Sequence, residues 1–82
     1  MDNKRWVNCG NSFYEQKFNL VCEELEKGFE TSVYIDCIGH TRNNMGQEAY
    51  KKALVEKYGD KLEVIYHDGI CSYSYSYKLK QN

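Results

Sequence analysis

The chain is predicted to fold as a small two-layer α/β sandwich, with two helices packed on one face of a small mixed β-sheet. Three features point to it. Two apolar stripes recur at helical spacing and each is closed by a glycine, a β-branched and aromatic run lies between them, and an Asp-Gly pair divides two alternating runs in the last third. The order is therefore β-α-β-α-β-β, ending in a C-terminal hairpin. Its 82 residues leave room for one domain, spanning residues 1–82.

The first element, Lys4 to Cys9, alternates weakly and runs into the turn cluster Gly10-Asn11-Ser12. Ser12 and Glu15 have the spacing of a capping box, in which each side chain satisfies an unpaired amide of the first helical turn. Tyr14, Phe18, Val21, Cys22 and Leu25 then form one helical stripe, and Gly28 is a natural stop. Phe29 to Ile38 has the composition of a central strand and ends at Gly39.

A second helix is expected from about Met45 to Tyr58. Asn44 and Gln47 suggest its cap, Ala49, Tyr50, Ala53, Leu54 and Tyr58 form its inner stripe, and Gly59 ends it. The small alanines imply a close approach to the sheet. Asp68-Gly69, between Leu62–His67 and Ile70–Leu79, has the residues of a two-residue hairpin turn. Pairing His67 with Ile70 sets Tyr66 opposite Cys71, Val64 opposite Tyr73 and Leu62 opposite Tyr75, which makes one hairpin face uniformly apolar. Right-handed crossovers between parallel strands put both helices on the same side and leave the other sheet face open.

Composition removes several function classes. A chain of this size buries only about 60% of the surface its unfolded form exposes, so its core is small. Hydrophobic residues make up 41% of the sequence and their runs are short, which allows folding and excludes a transmembrane helix. Eleven basic and twelve acidic residues leave a net charge of -1, so no global field draws the chain to nucleic acid or an anionic membrane. Cys9, Cys22, Cys37 and Cys71 are widely spaced, and the opening Met-Asp-Asn-Lys-Arg-Trp lacks the apolar stretch of a secretory signal. Reduced thiols in the cytoplasm are therefore expected.

Three constellations could carry chemistry. The strand ends bring Cys9–Ser12, Gly39–Asn44 and His67–Gly69 to one edge, where His40, Thr41, Arg42, Asn44 and His67 offer donors to a small anionic ligand, nucleotides included. Thr41 and Asn44 serve equally as helix caps, and no phosphate-loop fingerprint accompanies them. A nucleophile can be assembled from Cys37 or Cys71 with His40 or His67 and Asp36 or Asp68, but Cys37 alternates with the core residues Val33 and Ile35 and reads as a buried thiol. A zinc set of Cys9, His40, His67 and Cys71 has the right ligand types without the ligand spacing. No catalytic residue, metal or cofactor is assigned.

The open sheet face is more informative. Tyr34, Asp36 and Ile38 are expected there beside Ile65, His67 and Ile70, with Trp6 nearby, a contiguous apolar surface of the kind that marks an interface. The strand Ser72–Lys80 alternates serine with Tyr73, Tyr75 and Tyr77. Those tyrosines suit a half-buried strand facing inward, and Tyr75 and Tyr77 become partner contacts if the strand lies at the sheet edge. The leading expectation is a non-enzymatic protein-interaction module, an inhibitor or adaptor, binding through Trp6, Tyr34, Ile38, Ile65, Ile70, Tyr75 and Tyr77. An anti-defence or host-takeover protein of a phage or other mobile element has this build. A homodimer would cover the apolar face. Nucleic acid stacking on the face ranks lower, because Asp36 and Glu63 accompany the aromatics.

Overall fold

A computed structural model describes residues 3–36, 44–68 and 73–80, the side chain of Asn44 excepted. The elements are β1 (Lys4–Asn8), α1 (Glu15–Glu26), β2 (Glu30–Tyr34), α2 (Asn44–Tyr58), a 3-10 turn (Gly59–Lys61), β3 (Leu62–Asp68) and β4 (Tyr73–Leu79). The expected α+β architecture holds: two helices, and a four-stranded mixed sheet in the order β1-β2-β4-β3 ending in the C-terminal hairpin. β1 and β2 are parallel, and β4 runs antiparallel to both of its neighbours. Among the described residues no helix is long and apolar enough to cross a membrane.

Period-two alternation sorts each strand into two faces. Thr31, Val33 and Ile35 are buried toward the helices, with Tyr75, Tyr77 and Leu62 beside them. α1 contributes Val21, Cys22 and Leu25 to this core and α2 contributes Tyr50 and Leu54. Both helices therefore cover the same side of the sheet, as right-handed crossovers require. The close approach of α2 occurs at Gly46, where an added Cβ would lie 3.0 Å from Cγ2 of Ile35.

Four local expectations are corrected. The capping box of Ser12 and Glu15 does not form. α1 begins at Glu15 with Tyr14 in the N-cap position and no side-chain cap. The Tyr50 hydroxyl reaches across from α2 and accepts from the Tyr14 amide instead, at 3.0 Å. Gln47 is not a cap but a buried sheet-facing residue whose Nε2 donates to the Val33 carbonyl at 3.0 Å.

The hairpin register also differs. Tyr66 pairs with Tyr75, Val64 with Tyr77 and Leu62 with Leu79, and Asp68 is itself a paired strand residue opposite Tyr73, so the turn does not fall at Asp68-Gly69; residues 69–72 lie outside the described residues. This register sets Leu62 and Val64 against Leu79 and Tyr77, residues that lie under the helices. Packing of the large side chains outweighs the local turn preference. Finally, β4 is an inner strand, not an edge, so it has no free backbone edge to offer a partner strand. Its three tyrosines need the middle of the sheet, where both helices can cover them.

Candidate functional site: the helix-free sheet face

Residues of even number on β1 and β2 stand on the face opposite the helices. Register places Trp6 beside Ser32, Ser32 beside Ser76, and Ser76 beside Ile65, one row across all four strands. The middle of that row is made of serines and its ends of larger side chains. The result is a trough of about 250 Å³ whose walls include Trp6, Tyr34 and His67 and whose floor is Ser32 and Ser76.

The floor is a hydrogen-bonded chain. Oγ of Ser32 and Oγ of Ser76 are 2.5 Å apart, and Oγ of Ser76 is 2.8 Å from Nε2 of His67. Ser76 has no exposed surface although it lies on the uncovered face. A serine beside an imidazole is the pairing of an activated nucleophile, and here the Ser76 hydroxyl is shared between His67 and Ser32 at the base of the trough.

The wall is aromatic. Trp6 and Tyr34 meet edge to face with centroids 5.6 Å apart, and they remain 64% and 45% exposed. Edge-to-face contact is a favoured ring geometry and leaves the outer surfaces of both rings available. Ile65 is half-buried at the far end of the row. At one end of the face Lys4 pairs with Glu30 at 3.9 Å, and Glu63 stands opposite Lys78. The charges alternate in sign and do not form the basic groove that single-stranded nucleic acid requires.

Of the expected partner contacts, Trp6, Tyr34 and Ile65 share this face. Ile38 and Ile70 lie outside the described residues. Tyr75 and Tyr77 are removed from the partner surface, because both point at the helices and are buried, Tyr77 completely. For the expected anion site, His40, Thr41 and Arg42 lie outside the described residues, as does the side chain of Asn44. His67 is on the open face, bonded to Ser76. Cys37 and Cys71 are also outside, while Cys9 and Cys22 are buried free thiols. Among the described residues no group of three or more His, Cys, Asp or Glu side chains could hold a metal ion.

No protein family, curated protein or solved structure matches the chain.

Sequence reasoning missed a second polar cluster, on the helix side of the hairpin. The hydroxyls of Tyr73 and Tyr75 both donate to Oε2 of Glu48, at 2.6 and 2.9 Å. Those two bonds hold the Glu48 carboxyl below its usual range. The bond to Glu48 in turn pushes Tyr73 up to about 12. Burial first, and then Glu48, raise Tyr75. The alternating tyrosines were visible in the sequence, but their shared acceptor comes from a helix whose placement only the fold supplies.

Proposed function

We propose that this chain is a non-enzymatic protein-interaction module, an inhibitor or adaptor, that binds its protein partner on the helix-free sheet face. The observation that carries this reading is the exposed Trp6–Tyr34 pair standing over a trough with a buried serine floor. Trp and Tyr dominate binding energy where they can be buried in a partner's pocket, and here the two stand in contact with much of their surfaces uncovered. The serines that separate this pair from Ile65 break the apolar surface expected of the face, so the aromatic pair carries the reading. Ser76, at the base of the trough with its hydroxyl bonded to Ser32 and His67, is read as a support for that surface.

The reading is tested by quantitative affinity purification from the cells that express the chain, comparing it with Tyr34→Ala and Ile65→Asp. A protein that is retained by the natural chain, lost from both variants and bound directly when purified supports the reading. Equal recovery by all three chains overturns it.

A further inference from the structure

β1 is an outer strand of the sheet, and its outer side is not smooth. A groove of about 310 Å³ runs between β1 and α1, lined by Trp6, Val7, Asn8, Lys17, Leu20 and Glu24 among others. Its backbone wall is directional. The Glu30 amide donates to the Asn3 carbonyl at 3.0 Å and the Cys9 amide to the Tyr34 carbonyl at 2.8 Å. Alternate residues of a parallel strand bond the same neighbour, so odd residues of β1 address β2, and the amide and carbonyl of Trp6 and of Asn8 are directed outward. Leu20, on the helix side of the groove, is 43% exposed.

We propose that a second copy of this chain docks in this groove, β1 against β1, antiparallel across a two-fold axis at Trp6. Self-complementarity selects this occupant. Centred on Trp6, the central pair exchanges both amide-to-carbonyl bonds, Lys4 stands opposite Asn8 of the second copy, and Arg5 stands opposite Val7, so no like charges meet. Centring on Arg5 would oppose two guanidinium groups.

The helix repeats the pattern. Arg5 Nε lies 3.9 Å from Glu24, which puts Glu24 near the start of β1, and α1 runs back along the parallel β1–β2 pair, which puts Lys17, in its first turn, near the end of β1. A two-fold axis at Trp6 therefore carries Lys17 of one copy toward Glu24 of the other, with Leu20 between them. Positive, apolar and negative positions in that order about a centre are what an isologous interface needs. The two sheets become one of eight strands, and the Trp6–Tyr34 pairs of both copies come together at its middle.

This pairing does not depend on the partner surface proposed for the open face. It is tested by sedimentation equilibrium over a concentration series. A dimer is expected, with its dissociation constant raised about tenfold or more by Leu20→Lys, which sets like charges beside the axis. Trp6→Pro is expected to weaken the dimer similarly while the monomer still unfolds cooperatively in urea, because the lost amide points away from β2. Lys17→Glu and Glu24→Lys chains should each dimerise less well alone. Mixed, with one isotopically labelled, they should form the heterodimer above the statistical half in native mass spectra. A monomer at the highest soluble concentration, a dimer indifferent to Leu20→Lys, or a statistical mixture would each overturn the proposal. Ile65→Asp, on the opposite edge strand, should leave the dimer intact, so failure of the open-face reading is seen separately.

Discussion

The Tyr50 hydroxyl accepts a hydrogen bond from the backbone amide of Tyr14 at 3.0 Å, so a side chain of α2 supplies the cap that α1 lacks in its own sequence. The same oxygen lies 3.4 Å from the Tyr14 carbonyl and 3.5 Å from that of Ser12. The ring beneath is fully buried and packs on Phe13 at 4.7 Å. Tyr50→Phe keeps that packing and removes only the hydroxyl. A helix cap and a buried acceptor are each worth about 1 kcal/mol, so the expected loss is about 1–2 kcal/mol. Urea unfolding checks it as a lower midpoint at unchanged slope.

Gly28 and Gly59 end the two helices with φ of 95° and 58°. At Gly28 the Schellman pattern is complete, with the Phe29 amide donating to the Glu24 carbonyl at 3.2 Å. At Gly59 an added Cβ meets nothing within 4 Å. Alanine at Gly59 is therefore disfavoured by backbone conformation alone, and about 1 kcal/mol of destabilisation is expected there and at Gly28. Thermal melts of the two variants test this. An unchanged melting temperature for Gly59→Ala would show that the residue relaxes out of the left-handed region.

The elements were legible because apolar spacing and glycine stops are local signals. The strand faces were legible too, and they survived an error of register. Tyr66 exchanges its expected partner Cys71 for Tyr75, an even shift of four residues, so each side chain keeps its face. The inner position of β4 was not legible. It depends on which strand the helices must cover, and that is decided by the combined bulk of Tyr73, Tyr75 and Tyr77 rather than by any short segment. Gln47 and Tyr50 follow the same rule: a cap-like glutamine turned out to bond the sheet, and a core tyrosine turned out to cap a helix thirty-six residues away. Within the candidate site, Trp6, Tyr34 and Ile65 could be grouped from alternation alone. The Ser32–Ser76–His67 chain could not, because it needs the β2–β4 pairing.

Cys9 and Cys22 are 1% and 4% exposed. Burial is the largest influence on Cys9 and pushes its thiol upward, against smaller opposing effects of a Tyr50 hydrogen bond and the Lys17 charge. A buried, protonated thiol is a poor nucleophile. In a Cys37→Ser, Cys71→Ser background, both thiols should react with Ellman's reagent only at the rate of unfolding, and urea should accelerate them together. Rapid labelling of Cys9 in the native state would contradict its burial.

Glu48 links α2 to β4 and gives the fold a dependence on pH at both ends of the scale. Its carboxyl is held down by the hydrogen bonds from Tyr73 and then Tyr75, so the folded state binds the proton less readily than the unfolded chain does. Stability from this carboxylate is present above the unfolded carboxyl range, near the reference value of 4.5, and is lost as pH falls through the lower folded value. Tyr73 has the opposite sign. Its folded value is pushed up to about 12 from 10, first by the bond to Glu48, so its contribution is complete below pH 10 and is lost as pH rises toward 12. Glu48 is largely solvated, and screening keeps both effects small. Glu48→Gln should therefore flatten the acid limb of stability and lower the alkaline midpoint of tyrosinate absorbance in a variant where Tyr73 is distinguished by difference from Tyr73→Phe. A Tyr73 titration unmoved by Glu48→Gln would place the cause of its shift outside the Glu48 bond.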